Sequence, residues 1–357
     1  MRIAPAKRRH PGCATNANDQ MQSRIRTMNS PYLLFLGDAN LVGMDKMGAG
    51  IRQWRGELCL AQFRLPGCTA DLDLPEMRPA EAFAQGARTM IVGVVNVGGF
   101  IPETWIASIV EALEAGLDVA SGMHKRLADI PAIAEVAARC GRTIHDVRAP
   151  TRGFAPGTGV KRGGKRLLTV GTDCAVGKKY TALAIEREMR GRGLAADFRA
   201  TGQTGLLIAG RGVVIDAVIA DFVSGAAEWL SPDAADDHWD IIEGQGSLAH
   251  PAYAAVTLGL IHGSQPDALV VCHEPTRPTL LGLDYRVPGI MELAEMATAA
   301  ARLTNPAVRV VGVSINSSAL PAEEIEPLIA RIEAETGLPC CDPLVHGPAR
   351  IVDRLLD

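Results

Sequence analysis

The chain has 357 residues, 47% of them apolar, which is long enough for two domains with separate cores and excludes wholesale disorder. A net charge of -4 and an aromatic content of 4% provide neither the basic surface nor the stacking platform of a nucleic-acid binder. No apolar run approaches the roughly 18 residues of a membrane span. A small molecule is the expected partner, with neither nucleic acid nor membrane.

Residues 1–30 are rich in Arg, Asn and Gln, lack an apolar h-region, and are expected to form a disordered extension. Met21 and Met28 offer later starts, and an Arg-rich, acid-poor presequence is the other reading. Order is expected from Tyr32-Leu33-Leu34-Phe35-Leu36, a buried strand ended by Gly37-Asp38, with no full G-x-G-x-x-G to mark a dinucleotide site. Met90 to Val95 reads as a second strand. Ile106, Ile109, Val110 and Leu113 fall on one helical face stopped by Gly116, and 118–122 is a further strand and turn. Ile133, Val136, Ala137 and Cys140 repeat the helical spacing, with Asp129 as a candidate cap, before a last strand at 144–148. Alternating strands and helices at these lengths predict a Rossmann-like parallel-sheet domain over 31–150.

Residues 151–165 are crowded with glycine and proline and read as a linker to a second domain over 166–357. Its strands are expected at 167–170, 197–200, 239–243, 268–272 and 309–314. A helix is expected after the first, and another carries Ile325, Leu328, Ile329 and Ile332.

The first strand of this domain runs into Gly171-Thr172-Asp173-Cys174-Ala175-Val176-Gly177-Lys178, then Lys179, Tyr180 and Thr181. Strand, glycine turn, glycine-lysine and helix N-terminus are the parts of a phosphate cradle, with Lys178 as the charge that meets the phosphate. The loop is one residue longer than the usual G-x4-G-K-[ST], and Lys179 stands where a Mg²⁺-ligating hydroxyl is expected. Thr181 is too far along to replace it. Phosphate binding is predicted rather than metal-assisted phosphoryl transfer, and no metal site is assigned.

Three further clusters lie at predicted strand ends, where doubly wound folds bind ligands. Glu243-Gly244-Gln245-Gly246-Ser247 with His250 offers a general base, Glu243 or His250. Thr201-Gly202-Gln203-Thr204-Gly205 can cradle a carboxylate or stabilise an oxyanion. Asp216 and Asp221 are paired carboxylates of open role, and Arg277 or Arg286 can clamp a substrate carboxylate. Asn316 follows the 309–314 strand and is a weaker substrate-contact candidate.

The eight cysteines, Cys13, Cys59, Cys68, Cys140, Cys174, Cys272, Cys340 and Cys341, show no C-x-x-C framework and read as reduced thiols of a cytoplasmic protein. Cys340-Cys341 reads as a strand-end pair of small apolar residues, and Cys174 as filler of a tight turn.

The 171–178 loop and Glu243-Gly244-Gln245-Gly246 resemble the long P-loop and glutamate-glycine turn of dethiobiotin synthetase. Taken with Ala200 to Gly205, Asp216-Ala217-Val218 and Asp221-Phe222, they more closely resemble a two-domain bacterial family, over roughly residues 31–350. That family was long catalogued as of unknown function, and members have been assigned as D-glutamate N-acetyltransferases. The resemblance implies a Rossmann-like N-terminal domain and a P-loop NTPase-like, doubly wound C-terminal domain. It also implies acetyl-CoA as co-substrate, D-glutamate or a similar amino acid as acceptor, and a role in D-amino-acid catabolism. A homo-oligomer is expected. On position, residues 171–181 would hold the coenzyme, with Lys178 and Lys179 neutralising its phosphates. Glu243 or His250 would act as base with Asp216 behind, and Gln203, Thr204, Gly205, Arg277 and Asn316 would line the substrate. The alternatives are an ATP/Mg²⁺-dependent ligase or kinase of the dethiobiotin-synthetase type and a nucleotide-gated regulatory protein.

Overall fold

The computed structural model describes residues 28–357 except 42, 97, 98 and 151; Cys13, Met21 and the rest of 1–27 lie outside the described residues. The chain is already packed at its first described residue. Met28 is buried and the Asn29 carbonyl accepts the Thr89 hydroxyl at 2.7 Å.

The N-terminal part runs β1 (Tyr32–Gly37), α1 (Lys46–Arg55), β2 (Cys59–Arg64), α2 (Pro79–Ala84), β3 (Thr89–Val92), α3 (Glu103–Glu114), β4 (Asp118–Ser121), α4 (Pro131–Cys140) and β5 (Ile144–Asp146). Its five strands pair in the order β2-β1-β3-β4-β5, all parallel. The order reverses beside β1, the switch point where such sheets open a crevice. The turn that follows β1 is filled. Gly37 adopts φ 52°, a Cβ there would sit 2.7 Å from the Trp105 ring, and the Trp105 indole N–H donates to Asp38 at 2.8 Å. Helix α4 begins at Pro131 without a side-chain cap, because Asp129 ends a short 3₁₀ turn instead.

The C-terminal part runs β6 (Lys165–Gly171), α5 (Lys178–Gly191), β7 (Ala196–Arg199), α6 (Gln203–Ala209), α7 (Val223–Leu230), β8 (Trp239–Ile242), α8 (Ala254–Ser264), β9 (Ala268–His273), α9 (Ile290–Ala301), β10 (Arg309–Ile315), α10 (Ala322–Thr336), β11 (Cys340–Cys341) and α11 (Ala349–Leu356). Its sheet order is β11-β10-β9-β6-β8-β7, again all parallel. Strand β6 lies between β8 and β9, so the loop after it opens where successive connections diverge. Cys340 and Cys341 are buried strand residues whose thiols burial pushes up to about 12. No helix among the described residues is long and apolar enough to cross a membrane.

The glycine-rich stretch before β6 forms no regular element but is fastened down. The amides of Thr158 and Gly159 donate to Glu228 on α7 at 2.8 and 2.9 Å. Gly225 of α7 lies so close to the Ala155 carbonyl that no side chain fits. Arg166 is buried, with Nη2 donating to the carbonyls of Gly163, Ser231 and Pro232. Residues 155–163 act as a strap on the second sheet.

The two parts share a seam. One apolar cluster runs from β1 and β3 through Ala182, Ile185 and Met189 of α5 to Leu206 of α6. Across it, Trp54 of α1 stacks on Tyr180 of α5 with ring centroids 6.4 Å apart, and the Arg187 guanidinium lies 3.9 Å from the Trp54 ring centre. Gly50 of α1 has Tyr180 and Thr204 at 3.1 and 3.2 Å from where a Cβ would stand. Such an aromatic and cation–π stack is worth several kcal/mol with its buried area. Trp54→Ala is expected to cost about 2 kcal/mol or more, read as a lower urea midpoint.

Candidate active site at the domain seam

The cradle after β6 is built by three backbone positions and one buried lysine. Gly171 must lack a side chain, because a Cβ would stand 2.7 Å from Val176 and 2.9 Å from Lys178 Nζ. Ala175 and Gly177 adopt φ values of 55° and 102°, which turn the chain into α5. Lys178 is buried, its ammonium donates to the Asp173 carbonyl at 2.7 Å, and desolvation lowers its pKa. An ammonium held inside a loop with a helix N-terminus on one side fits a phosphate.

Asp173 holds the loop together. Its fully buried carboxylate accepts the Cys174 amide at 2.7 Å, the Leu281 amide at 2.7 Å and Arg277 Nη1 at 2.8 Å. The same Arg277 nitrogen donates to the Cys174 carbonyl at 2.7 Å, so this arginine braces the loop. Thr172 shares a 2.9 Å hydrogen bond with His273 Nδ1. Asn316 lies beside Gly177 and donates to Glu274 at 2.6 Å. The Thr181 hydroxyl donates to the Gly177 carbonyl at 3.1 Å and pairs with Ser314 at 2.7 Å, which commits it to the core. Burial holds the Cys174 thiol above its ordinary pKa, so it is no activated nucleophile.

The second feature is Glu243, at the end of β8. It is buried, and one carboxylate oxygen accepts the amides of Thr201 and Gly202 at 2.9 and 3.1 Å, while the Thr201 hydroxyl donates to the Glu243 carbonyl at 2.6 Å. Those two amides are thereby taken by the carboxylate. Gly205 lies directly over the same carboxylate oxygen, with no room for a side chain. Gly244 presses equally close to the Thr169 carbonyl and donates its amide to the Thr169 hydroxyl at 2.9 Å. Desolvation raises the Glu243 pKa, and the charge opposing that rise most is Lys179.

His250 is buried near the loop, but both ring nitrogens are engaged. Nδ1 accepts the Ala252 amide at 3.2 Å, which leaves the proton on Nε2, 3.1 Å from the Leu281 carbonyl. Asp173, Cys174 and His250 bring donor atoms within 4.8 Å of one another, yet the hydrogen bonds just described occupy the carboxylate and the imidazole. The group is a hydrogen-bonded brace. Asp216 sits on an exposed 3₁₀ turn and pairs with Arg148 across the domain boundary rather than with Glu243.

Gln203 and Thr204 open α6 against the first domain, with Gln203 packed on Gly122 after β4 and Thr204 on Gly50. The second wall of the site therefore comes from α1 and the β4 end. The β4 end was read from the sequence as a strand and turn, whereas α1 carried no signal beyond a pair of glycines, Gly48 and Gly50, two positions apart. Lys179 also points here: its Nζ is 4.2 Å from the Tyr180 ring centre and 3.5 Å from the Cβ position of Gly50.

This architecture has known counterparts. A family model described as "Domain of unknown function (DUF1611_C) P-loop domain" matches residues 154–352, and its companion, described as "DUF1611_N … Rossmann-like domain", matches 63–150. The chain belongs to this two-domain DUF1611 family. A crystal structure of a DUF1611 family protein from Anabaena variabilis superposes with a TM-score of 0.83 at 30% identity, covering 92% of this chain and 99% of that one. Two curated relatives bear the name D-glutamate N-acetyltransferase. One, from Tritonibacter scottomollicae, is 52% identical over 92% of this chain and 99% of its own length. The other, from a Pseudoalteromonas species, is 48% identical over 91% and 98%. The family match begins its P-loop domain at 154, ahead of β6, in line with a strap that belongs to the second sheet.

Asp173→Ala removes the acceptor of two amides and leaves Arg277 without its carboxylate. The substitution is expected to cost about 2–4 kcal/mol, read as a fall in melting temperature.

Proposed function

We propose that this DUF1611 protein is an N-acetyltransferase that moves acetyl from acetyl-CoA to the amino group of D-glutamate. The observation that carries the reading is that relatives about half identical over nearly the whole chain bear that name. The site supports it with a phosphate grip that has no hydroxyl placed for a nucleotide's Mg²⁺, since Lys179 follows Lys178 and Thr181 is tied into the core. The cysteines among the described residues are free thiols, which fits a cytoplasmic setting.

Acetyl-CoA would supply the acetyl group together with the phosphates that Lys178 and the loop amides hold. Glu243 takes the proton that the substrate ammonium must lose before its nitrogen can form the amide. Acetyl passes from sulfur to nitrogen, and the thiol of CoA and one proton are released. A carboxylate in water is a poor base for an ammonium; burial lifts the proton affinity of Glu243, while the Thr201 and Gly202 amides fix its direction. His250, with both nitrogens engaged, braces Asp173 and the 281 segment.

Glu243→Gln keeps the shape and the amide contacts but not the base. It is expected to lower kcat by about 10²–10⁴-fold with CoA affinity unchanged, measured by thiol release and calorimetry. Because the reaction needs Glu243 ionised, kcat/KM is expected to fall as the pH drops through a pKa above that of an ordinary glutamate. Lys179, Lys178 and the two amides oppose the upward shift without cancelling it. A profile flat down to pH 4 would remove Glu243 from the base role. Calorimetry with acetyl-CoA and ATP·Mg²⁺ side by side tests the donor. Acetyl-CoA is expected to bind, and Lys178→Ala to abolish that binding; tight ATP·Mg²⁺ binding without a CoA signal would favour a ligase instead.

A further inference from the structure

Adjacent lysines at the start of α5 face different surroundings. Lys178 is enclosed by the loop and spends a proton on the Asp173 carbonyl. Lys179 is half-buried at the seam, and among the described residues it has neither an ion pair nor a side-chain hydrogen bond, only the Tyr180 ring at 4.2 Å. Helix α1 closes over it at Gly50, and Thr204 reaches the same spot from α6. One residue further along α6, Gly205 covers the carboxylate of Glu243. Among the described residues no protein group accepts from the Lys179 ammonium, so its N–H groups are available to an anionic ligand at the seam.

We propose that Lys179 binds the α-carboxylate of the amino-acid substrate while Glu243 receives its α-ammonium. The assignment rests on the acetyltransferase reading and deepens it. An α-amino acid carries its cation and anion on neighbouring atoms of one carbon, so it needs a carboxylate and an ammonium on adjacent walls of one site. Glu243 and Lys179 are such a pair. Each is the strongest charge acting on the other, and they do not satisfy each other with a direct salt bridge. Burial pulls Lys179 down to about 8, so it is mostly cationic at neutral pH, and a bound carboxylate would hold it so. Arg277 gives its Nη1 to Asp173 and the Cys174 carbonyl, which ties this arginine to the phosphate loop rather than to the Glu243 side of the seam. Lys179 is a specificity residue on this view, not a neutraliser of coenzyme phosphates.

The test compares wild type and Lys179→Gln on D-glutamate, D-isoglutamine (α-carboxamide) and D-glutamine (γ-carboxamide), with acetyl-CoA saturating. The wild-type preference for D-glutamate over D-isoglutamine is expected to shrink by roughly tenfold or more in the variant, the worth of a charge-assisted hydrogen bond. The preference over D-glutamine and the Kd for CoA should stay within about twofold, and Lys179→Arg should recover part of the loss. A calorimetric CoA signal in the variant certifies its fold. Loss of CoA affinity with unchanged amino-acid selectivity would return Lys179 to the phosphates and overturn the proposal; loss of the γ-carboxylate preference alone would overturn the α-assignment. If wild type acetylates another amino acid, the substrate reading falls, and the matching α-amide of that amino acid reads Lys179 in the same way. If no amino acid is bound at all, both fall.

Discussion

A carboxylate with one oxygen capped by a glycine and two amides is the contact on which the site depends. Glu243 can be buried only because Thr201 and Gly202 turn their amides toward it and because Gly205 offers no side chain to exclude it. The same economy of side chains recurs at Gly244 against Thr169 and at Gly50 against α5 and α6. Backbone approaches this close bring Glu243, a lysine and the floor of the 171–178 loop from separate strand ends into one small volume. A side chain at Gly205 or Gly244 would push the elements apart before it altered the chemistry.

Around that contact the charges are sorted by depth. Asp173 is fully buried and fully paired, Arg166 is buried and surrounded by carbonyl acceptors, and both serve architecture. Lys178 is buried with one acceptor and with N–H groups left for a ligand. Among the described residues Lys179 has no acceptor, and Glu243 has a raised pKa, the signature of groups arranged for use rather than for stability. In the function proposed above, the P-loop is a holder of phosphate, separated from the phosphoryl chemistry with which its shape is often associated. A fold supplies a grip, and the residues beside the grip decide the reaction.

Placing Glu243 at a seam gives the first domain a purpose. Its own β1 turn is plugged by Trp105, which removes the obvious nucleotide crevice. What it offers instead is α1, with Trp54 clamped between Arg187 and Tyr180, and the β4 end against Gln203. The first domain is a wall of the second domain's site.

Much was legible from the chain alone. Buried parallel strands read as apolar runs, so β1, β3, β4 and β6 to β10 announced themselves, and the glycines and lysine of 171–178 carried the loop because phosphate cradles need those residue types in that order. Helix α1 and strand β2 did not, since KMGAGIRQWR has two glycines in a weak apolar pattern and CLAQFR is half polar. The family and its two domains were likewise readable in the motifs. Only the tertiary structure decided which polar residues are left over. Lys178 and Lys179 are identical in type and adjacent in sequence, yet one faces a loop interior and the other a domain boundary, because side chains a helical step apart point about 100° apart. Arg277, His250 and Asp216 looked as available as Glu243 until folding gave each a partner. Sequence names the groups able to do chemistry; packing determines which of them still have a hand free.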